Sequence, residues 1–339
     1  MAVYILLNEV NMKTLLIIIL LCLSSSLYCQ NSGKSVKKYY QLINKAELFI
    51  CDSNYNKAMN CYERAFKKIT CPFSMDVYNC FKVCLMLNVD SITINSLHRE
   101  LISREYEMAL YKNMFVRNIQ IFPGYLKVDT NAFLTAPALT KEKMTLDSFL
   151  RVDQDVRSYF YSMLDSVDEA AIMDSMWHVD SINCISLVSY LWSDFPDEKI
   201  GKLGFNPYDS PLYTVVFQHY SYRDYTTIYD SLLLQKIKTG EFHPEWYQNL
   251  YYKRQCADGW SDLYGYPIAY TKYKNEPERG TELTAYGNYK SKTLRRINRN
   301  RKRILLESYQ DYYKKSMYEF NTGRKIMYLT FNENVVIQK

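Results

Sequence analysis

The segment KAELFICDSNYNKAMNCYERAF (residues 45–66) determines the architecture of the N-terminal half. Two helical patterns flank the turn-prone stretch CDSNYN, and the small residues Ala46 and Ala58 lie twelve positions apart. Tyr62 and Ala65 continue the second pattern at steps of four and three residues, which keeps them on one helix face. Small residues let two antiparallel helices approach closely, so the segment predicts a helical hairpin.

Followed by Pro72 near the usual helix-breaking position, the same segment resembles a tetratricopeptide repeat. The stretches DVYNCFKVCLML (76–87) and SITINSLHRELI (91–102) predict two further helices without the small-residue signature. The resemblance implies stacked hairpins with a concave face for partners, and about three repeats are usually needed for stability. This repeat must therefore pack on later parts of the chain, and a hairpin without a binding role stays an open alternative.

Composition favours helices over a turn-rich sandwich or barrel, because the 339 residues include only 10 Gly and 9 Pro. Hydrophobic residues (48%) and charged residues (23%) are in globular proportion. The predicted fold is mainly α: tetratricopeptide-like helical hairpins, a second helical domain and a short C-terminal β-hairpin around Asn332-Glu333-Asn334. The predicted ranges are a signal peptide at 1–29, a tetratricopeptide-like domain at 30–121, a connection at 122–141, a helical domain at 142–310, and a helix end with a tail at 311–339.

The stretch MKTLLIIILLCLSSSLYCQ (12–30) has the form of a secretory signal peptide. Lys13 precedes the apolar run Leu15–Leu23, which is too short to span a membrane, and small polar residues come next. Glu9 lies where a signal peptide needs positive charge, so Met12 is the start that we favour.

We expect cleavage between Cys29 and Gln30 and export to the periplasm or the extracellular space. Lipid anchoring at Cys29 is the weaker rival, because Tyr28 is bulky where a lipoprotein signal needs a small residue. Removal of residues 1–29 takes away one Lys and one Glu and leaves the net charge at +6, and we expect no nucleic-acid partner and no transmembrane helix in the mature chain.

Seven cysteines remain after cleavage, an odd number that allows disulfides and a spare thiol. We favour free core cysteines, because Cys80 and Cys84 lie four residues apart on a helical stripe with Phe81 and Leu87. No C-x-x-C pair is present, which excludes a zinc ribbon, and the sequence predicts no cofactor and no metal site.

Four polar residues occupy positions that the helical periodicity assigns to the core. In FLRVDQDVRSYF (149–160), Asp153 lies on the apolar stripe, and Asp180 does so on the next helix. His219 joins a stripe if its segment is helical rather than a short strand, and Arg301 lies between Ile297 and Ile304. A buried charge needs a partner, so we expect Arg301 or Arg157 to pair with Asp153 or Asp180.

Residues 142–310 resemble an uncharacterised domain family of bacterial proteins that often carry export signals. The resemblance rests on the order Asp153-Gln154-x-x-Arg157, Asp180-x-x-Asn183, Gln218-His219, Gly240-Glu241, Arg254, Tyr264-Gly265 and Asn300-Arg301. It implies a shared helical domain and no particular reaction, with Arg157, Asn183, Arg254 and Tyr264 as ligand-binding candidates. Two positions depart from the family pattern, Lys253 and the pair Tyr266-Pro267, so part of any polar site is altered in this chain.

The basic stretch KSKTLRRINRNRKRILLES (290–308) predicts an amphipathic helix rather than a nucleic-acid site. Its apolar residues, Ile297 among them, fall on one face, and Arg295, Arg296 and Arg299 fall on the other, where we expect water. Contact of this basic face with envelope phosphates is the minor alternative.

Three interpretations of function remain open. We favour a non-catalytic interaction or scaffold protein of the cell envelope with a protein partner, because the chain has no G-x-S-x-G, H-E-x-x-H, P-loop or G-x-G-x-x-G motif. The alternative is a hydrolase-like or anionic-ligand site in which Asp153 or Asp180 orients His219 as a general base and Arg301 holds an anion. A metal held by His178, His219 and His243 with Asp180 is a weaker alternative. The polar cluster could also merely specify how the helices pack, which is compatible with the favoured function.

Overall fold

The protein is built mainly from α-helices, as the composition predicts. The structure, a computed structural model, describes residues 33–104, 119–135, 141–163, 168–191, 214–221, 229–258, 263–265, 268–272, 281–285, 289–322, 324, 326 and 332–338. The predicted signal peptide lies outside these residues. None of the described helices combines the length and the hydrophobicity that a membrane span requires.

The described residues of the N-terminal half form four helices. They are α1 (33–51), α2 (Tyr55–Phe66), α3 (Ser74–Leu87) and α4 (Ser91–Arg104). Ala46 and Ala58 are fully buried at the predicted hairpin, and so is Tyr62. The backbone N–H of Lys57 donates to the side chain of Asn54, which caps the start of α2.

Two 3₁₀ helices, Pro123–Lys127 and Thr130–Thr135, lie within the predicted connection and contact α4. The first also packs on α3, where Gly124 meets the backbone of Leu85. A Cβ atom at Gly124 would lie 2.9 Å from the carbonyl oxygen of Leu85, so the approach requires glycine. The stretch is thereby fixed to the helical hairpins.

Where the structure describes the second half, seven helices are present. They are α5 (Lys141–Ser162), α6 (Glu169–Ser189), α7 (Thr214–Ser221), α8 (Asp230–Thr239), α9 (Pro244–Asp258), α10 (Ser291–Arg303) and α11 (Tyr309–Thr322). The segment around His219 is therefore helical rather than a strand. Helix α7 packs against α5, α6 and α9, which brings three stripes with a polar residue toward one another.

Three strands form a small sheet in the order β2-β1-β3, with β1 at Ile268–Lys272, β2 at Thr281–Ala285 and β3 at Asn332–Gln338. Strands β1 and β2 are antiparallel, and β3 lies parallel to β1. The predicted turn at 332–334 is wrong, because these residues begin β3. No glycine is present there to favour a tight turn, whereas the β-branched run 335–337 favours a strand.

Buried side chains from both halves form one continuous hydrophobic core cluster. The C-terminal helix α11 is tied to α1, because Lys314 Nζ lies 2.7 Å from Asp52 Oδ1 and Asn44 Nδ2 donates to Asp311 at 2.9 Å. The division into two domains stays a prediction.

Candidate functional site

The Asp153 cluster comprises Asp153, Gln154, Arg157, Asp180 and His219. Asp153 lies on α5 with its side chain fully buried, as its stripe predicts. Gln154 Nε2 donates to its carboxylate at 2.7 Å and Arg157 Nη1 at 3.0 Å. A carboxylate is an acceptor, so these contacts satisfy a charge that would otherwise be costly to bury.

Arg157 links two helices through Asp180, which is buried on α6. Its Nη1 and Nη2 atoms each lie 2.9 Å from one oxygen of the Asp180 carboxylate, a two-pronged arrangement. Nη1 also donates to the backbone carbonyl of Asp153 at 3.0 Å. One guanidinium therefore holds two buried carboxylates.

His219 reaches the same carboxylate from α7. Its Nδ1 atom lies 2.9 Å from both oxygens of Asp153, and 21% of its side chain is exposed. Because the carboxylate accepts, Nδ1 carries the hydrogen, and the ring has the orientation that a carboxylate gives to a histidine general base.

Asn183, a predicted ligand-binding residue, fixes the packing of α5 on α6. Its Nδ2 atom donates to the carbonyl oxygen of Phe149 at 3.0 Å, and the residue is buried. Three helices therefore meet at polar contacts that leave little choice of register. This geometry fits both a packing role and a site that opens at His219.

Arg301 does not belong to the Asp153 cluster, which corrects the expectation that it pairs there. It is buried on α10 in a separate set of residues, the Arg301 network, which comprises Glu47, Gln248, Arg301, Glu307 and Lys315. Arg301 Nη2 lies 3.2 Å from Glu307 Oε1, and its Nε donates to the Glu307 carbonyl at 2.8 Å. Lys315 Nζ lies 2.7 Å from Glu47 and 3.0 Å from Glu307, so the network joins α1, α10 and α11.

Burial and charge act on this network in opposite directions. Burial raises the pKa of Glu47 to about 7, although the Lys315 ammonium lowers it. Burial also opposes ionisation of Glu307, but Lys315 and Arg301 outweigh it and bring its pKa to about 2. Burial disfavours the Lys315 ammonium, yet Glu307 and Glu47 raise its pKa above the usual value. Glu47 is therefore the member of the Arg301 network that takes up a proton as the pH falls below about 7.

Tyr264 contributes its backbone rather than its hydroxyl to the Arg301 network. Its carbonyl oxygen accepts from Arg301 Nη1 at 3.0 Å, and its ring packs edge-on against Tyr251. The next residue, Gly265, has φ +74°, and a Cβ atom there would lie 2.7 Å from the Tyr309 ring. The Tyr-Gly pair thus positions an acceptor for a buried arginine. Arg254 lies on α9, and its side chain is outside the described part of the structure.

The three histidines of the metal alternative are not brought together. His219 bonds to Asp153, whereas His178 is exposed on α6. His243 packs edge-on against Phe73 and beside Trp246, where burial lowers its pKa to about 3. Among the described residues, no three His, Cys, Asp or Glu side chains are grouped as metal ligands.

Lys315 and Glu47 of the Arg301 network were not predicted from the sequence, although their positions on apolar helix stripes indicated burial. Lys315 lies three residues after Tyr312 and four before Glu319, and all three are buried on α11. Glu47 lies four residues after Ile43 on the buried stripe of α1. The periodicity that singled out Asp153 applies equally to them.

No family model, curated protein or solved structure matches this chain. The resemblances to a tetratricopeptide repeat and to an uncharacterised bacterial domain family therefore stay predictions.

Proposed function

We propose that the chain is an exported, non-catalytic interaction protein of the bacterial cell envelope that binds a protein partner. The observation that supports binding is the Leu126 surface, which comprises Ile92, Ile121 and Leu126. Leu126 is 91% exposed on the first 3₁₀ helix, and Ile92 is 81% exposed in the first turn of α4. Ile121, just before the 3₁₀ helix, is exposed as well.

Hydrogen bonds fix the two segments that carry this surface. Lys127 Nζ donates at 2.8 Å to the carbonyl oxygens of Asn88 and Val89, just before α4. Asn95 Nδ2 donates to the Lys127 carbonyl at 3.0 Å, and the backbone N–H of Asp129 donates to Asn95 Oδ1 at 2.7 Å. Leu126 and Ile92 are thus held on adjoining, ordered segments.

A fixed apolar surface is suited to association. Full burial of a leucine or isoleucine side chain contributes about 1.5–3 kcal/mol, which exposure leaves unused. Single exposed apolar residues are common, but exposed residues on adjoining segments favour a docking site. Because Leu126 is already held in place, little ordering entropy opposes binding.

The test is capture of a partner by the full chain with the Leu126 surface disrupted. We expect Ile92→Asp/Leu126→Asp to lose a protein that the wild type captures by chemical crosslinking in envelope extracts of the source bacterium. The matched control is Val152→Asp/Tyr159→Asp, which changes two exposed apolar residues on α5. Equal capture by both variants, or none by the wild type, would contradict the proposal.

Export is tested separately. When the full chain is produced in a Gram-negative host, we expect the periplasmic fraction to contain protein that begins at Gln30. Protein that stays in the cytoplasm with residues 12–29 attached would contradict export, whatever the outcome of the capture experiment.

A hydrolase-like site is the second candidate, and the contact of Asp153 with His219 supports it. A partly exposed histidine oriented by a buried carboxylate could take a proton from water or from a hydroxyl. In a screen of ester, phosphoester and amide substrates, this candidate requires an activity that His219→Gln abolishes. His178→Gln, which changes an exposed histidine outside the Asp153 cluster, serves as the control.

A further inference from the structure

Three sulfur atoms that belong to neither polar network meet between α2 and α3. The Cys84 Sγ atom lies 3.7 Å from Met59 Sδ, and Cys80 Sγ lies 4.0 Å from it. Cys80 and Cys84 lie one turn apart on α3. Both cysteines are buried and free of disulfide bonds. These three residues form the sulfur triad.

The two separations measured from the Met59 sulfur fit the coordination of one small ion. A metal bound in a plane to three sulfurs at about 2.3 Å holds those sulfurs about 4.0 Å apart. The two separations from the Met59 sulfur, 3.7 and 4.0 Å, lie close to this value before any ion enters. Two potential thiolates and a thioether are soft ligands, which select Cu(I) over harder divalent ions, and zinc would need a fourth ligand.

We propose that the sulfur triad of Met59, Cys80 and Cys84 is a three-coordinate Cu(I) site. Copper enters as Cu(I), and no electron is transferred. The S–H bonds of Cys80 and Cys84 break, two copper–thiolate bonds form, the Met59 sulfur donates a lone pair, and two protons leave to solvent. The site is separate from the Leu126 surface and does not depend on partner binding.

The surroundings of the sulfur triad provide an entry path for copper, and the loss of protons makes copper binding depend on pH. Met59 is partly exposed, so its thioether can take the ion first and pass it inward. Glu63, exposed one turn later on α2, interacts electrostatically with Cys80 and attracts a cation. Both ligand thiols lose a proton when copper binds, so binding weakens as pH falls.

The experiment is an anaerobic titration of the reduced full chain with Cu(I) against a chromogenic Cu(I) chelator. We expect one Cu(I) per wild-type chain, at least tenfold weaker binding by Met59→Leu, and loss of binding by Cys80→Ser/Cys84→Ser. Met59→Leu keeps the side-chain volume, so it tests the sulfur without opening a cavity. Cys184→Ser, which changes a buried cysteine on α6, is the matched control and should bind like the wild type.

X-ray absorption on the copper-loaded wild type provides the second readout. We expect three sulfur neighbours at about 2.3 Å and no nitrogen or oxygen. The proposal is overturned if the wild type retains no more copper than Cys80→Ser/Cys84→Ser. It is also overturned if Cys184→Ser lowers binding as much as that double variant does, or if the copper has nitrogen or oxygen ligands.

Discussion

Two neighbouring lysines of α11 allow a sharp test of the Arg301 network. Both bond to α1 or the residue after it at 2.7 Å, Lys315 to Glu47 and Lys314 to Asp52. The two pairs differ in burial: Lys315 has 1% of its side chain exposed, whereas Lys314 and Asp52 are each about half exposed. Replacement of each lysine by methionine therefore compares a buried ion pair with a surface ion pair on the same two elements.

The two replacements should differ in their cost to stability because solvent screens the exposed pair but not the buried one. Lys315→Met leaves Glu47 without the cation it contacts and Glu307 with Arg301 alone among its two cationic partners. Removal of one member of a buried ion pair costs about 3–5 kcal/mol. Lys314→Met removes a pair in high-dielectric surroundings, which costs about 0–1 kcal/mol.

Urea unfolding at pH 7, followed by far-ultraviolet circular dichroism, measures both changes. We expect Lys315→Met to lower the free energy of unfolding by at least about 2 kcal/mol more than Lys314→Met does. Glu47→Gln removes the carboxyl group that loses its partner in Lys315→Met, so the double variant should cost about 1–3 kcal/mol less than the sum of the single changes. If the two lysine variants agree within about 1 kcal/mol, the network does not hold α1 to α11 in the way described.

Further changes test the remaining features. Arg157→Met should lower the free energy of unfolding in urea by about 3–5 kcal/mol, because it leaves two buried carboxylates without their arginine. The control is Arg151→Met, which removes an exposed ion pair on the same helix. An equal loss in both variants would contradict the description of the Asp153 cluster. In unfolding measured from about pH 8 to pH 4.5, the wild type should gain stability relative to Glu47→Gln as pH falls, because the folded pKa of Glu47, about 7, lies above its unfolded value; a constant difference would show that Glu47 does not take up the proton. Gly124→Ala should cost about 1–3 kcal/mol and speed hydrogen exchange around the Leu126 surface, since its Cβ would meet the Leu85 carbonyl, and unchanged exchange would contradict this close approach.

Periodicity was sufficient to predict the helices and the buried aspartates. Ala46 and Ala58 are buried where their spacing places them, and Asp153 and Asp180 meet at Arg157 because a charge on an apolar stripe needs a partner. Periodicity does not say which partner, since that depends on how helices distant in sequence cross. Arg301 illustrates the difference, because its acidic partner Glu307 lies in the loop just after its own helix.

The Leu126 surface and strand β3 were not predicted from the sequence, for different reasons. Leu126 precedes Lys127, whose ammonium donates to the carbonyls of residues 88 and 89, and no local sequence pattern predicts that contact. The turn predicted at 332–334 was wrong because the segment has no glycine to favour a tight turn, and its β-branched run pairs with β1.

The contact of Lys315 with Glu47 also sets a minimum time that must pass during synthesis before the fold can be completed. The two residues are 268 positions apart, and ribosomes add about 5–20 residues per second, so roughly 13–54 s separate their synthesis. During that interval Glu47 and the apolar stripe of α1 have no α11 to cover them. Helix α1 must therefore remain incompletely packed until α11 has been synthesised.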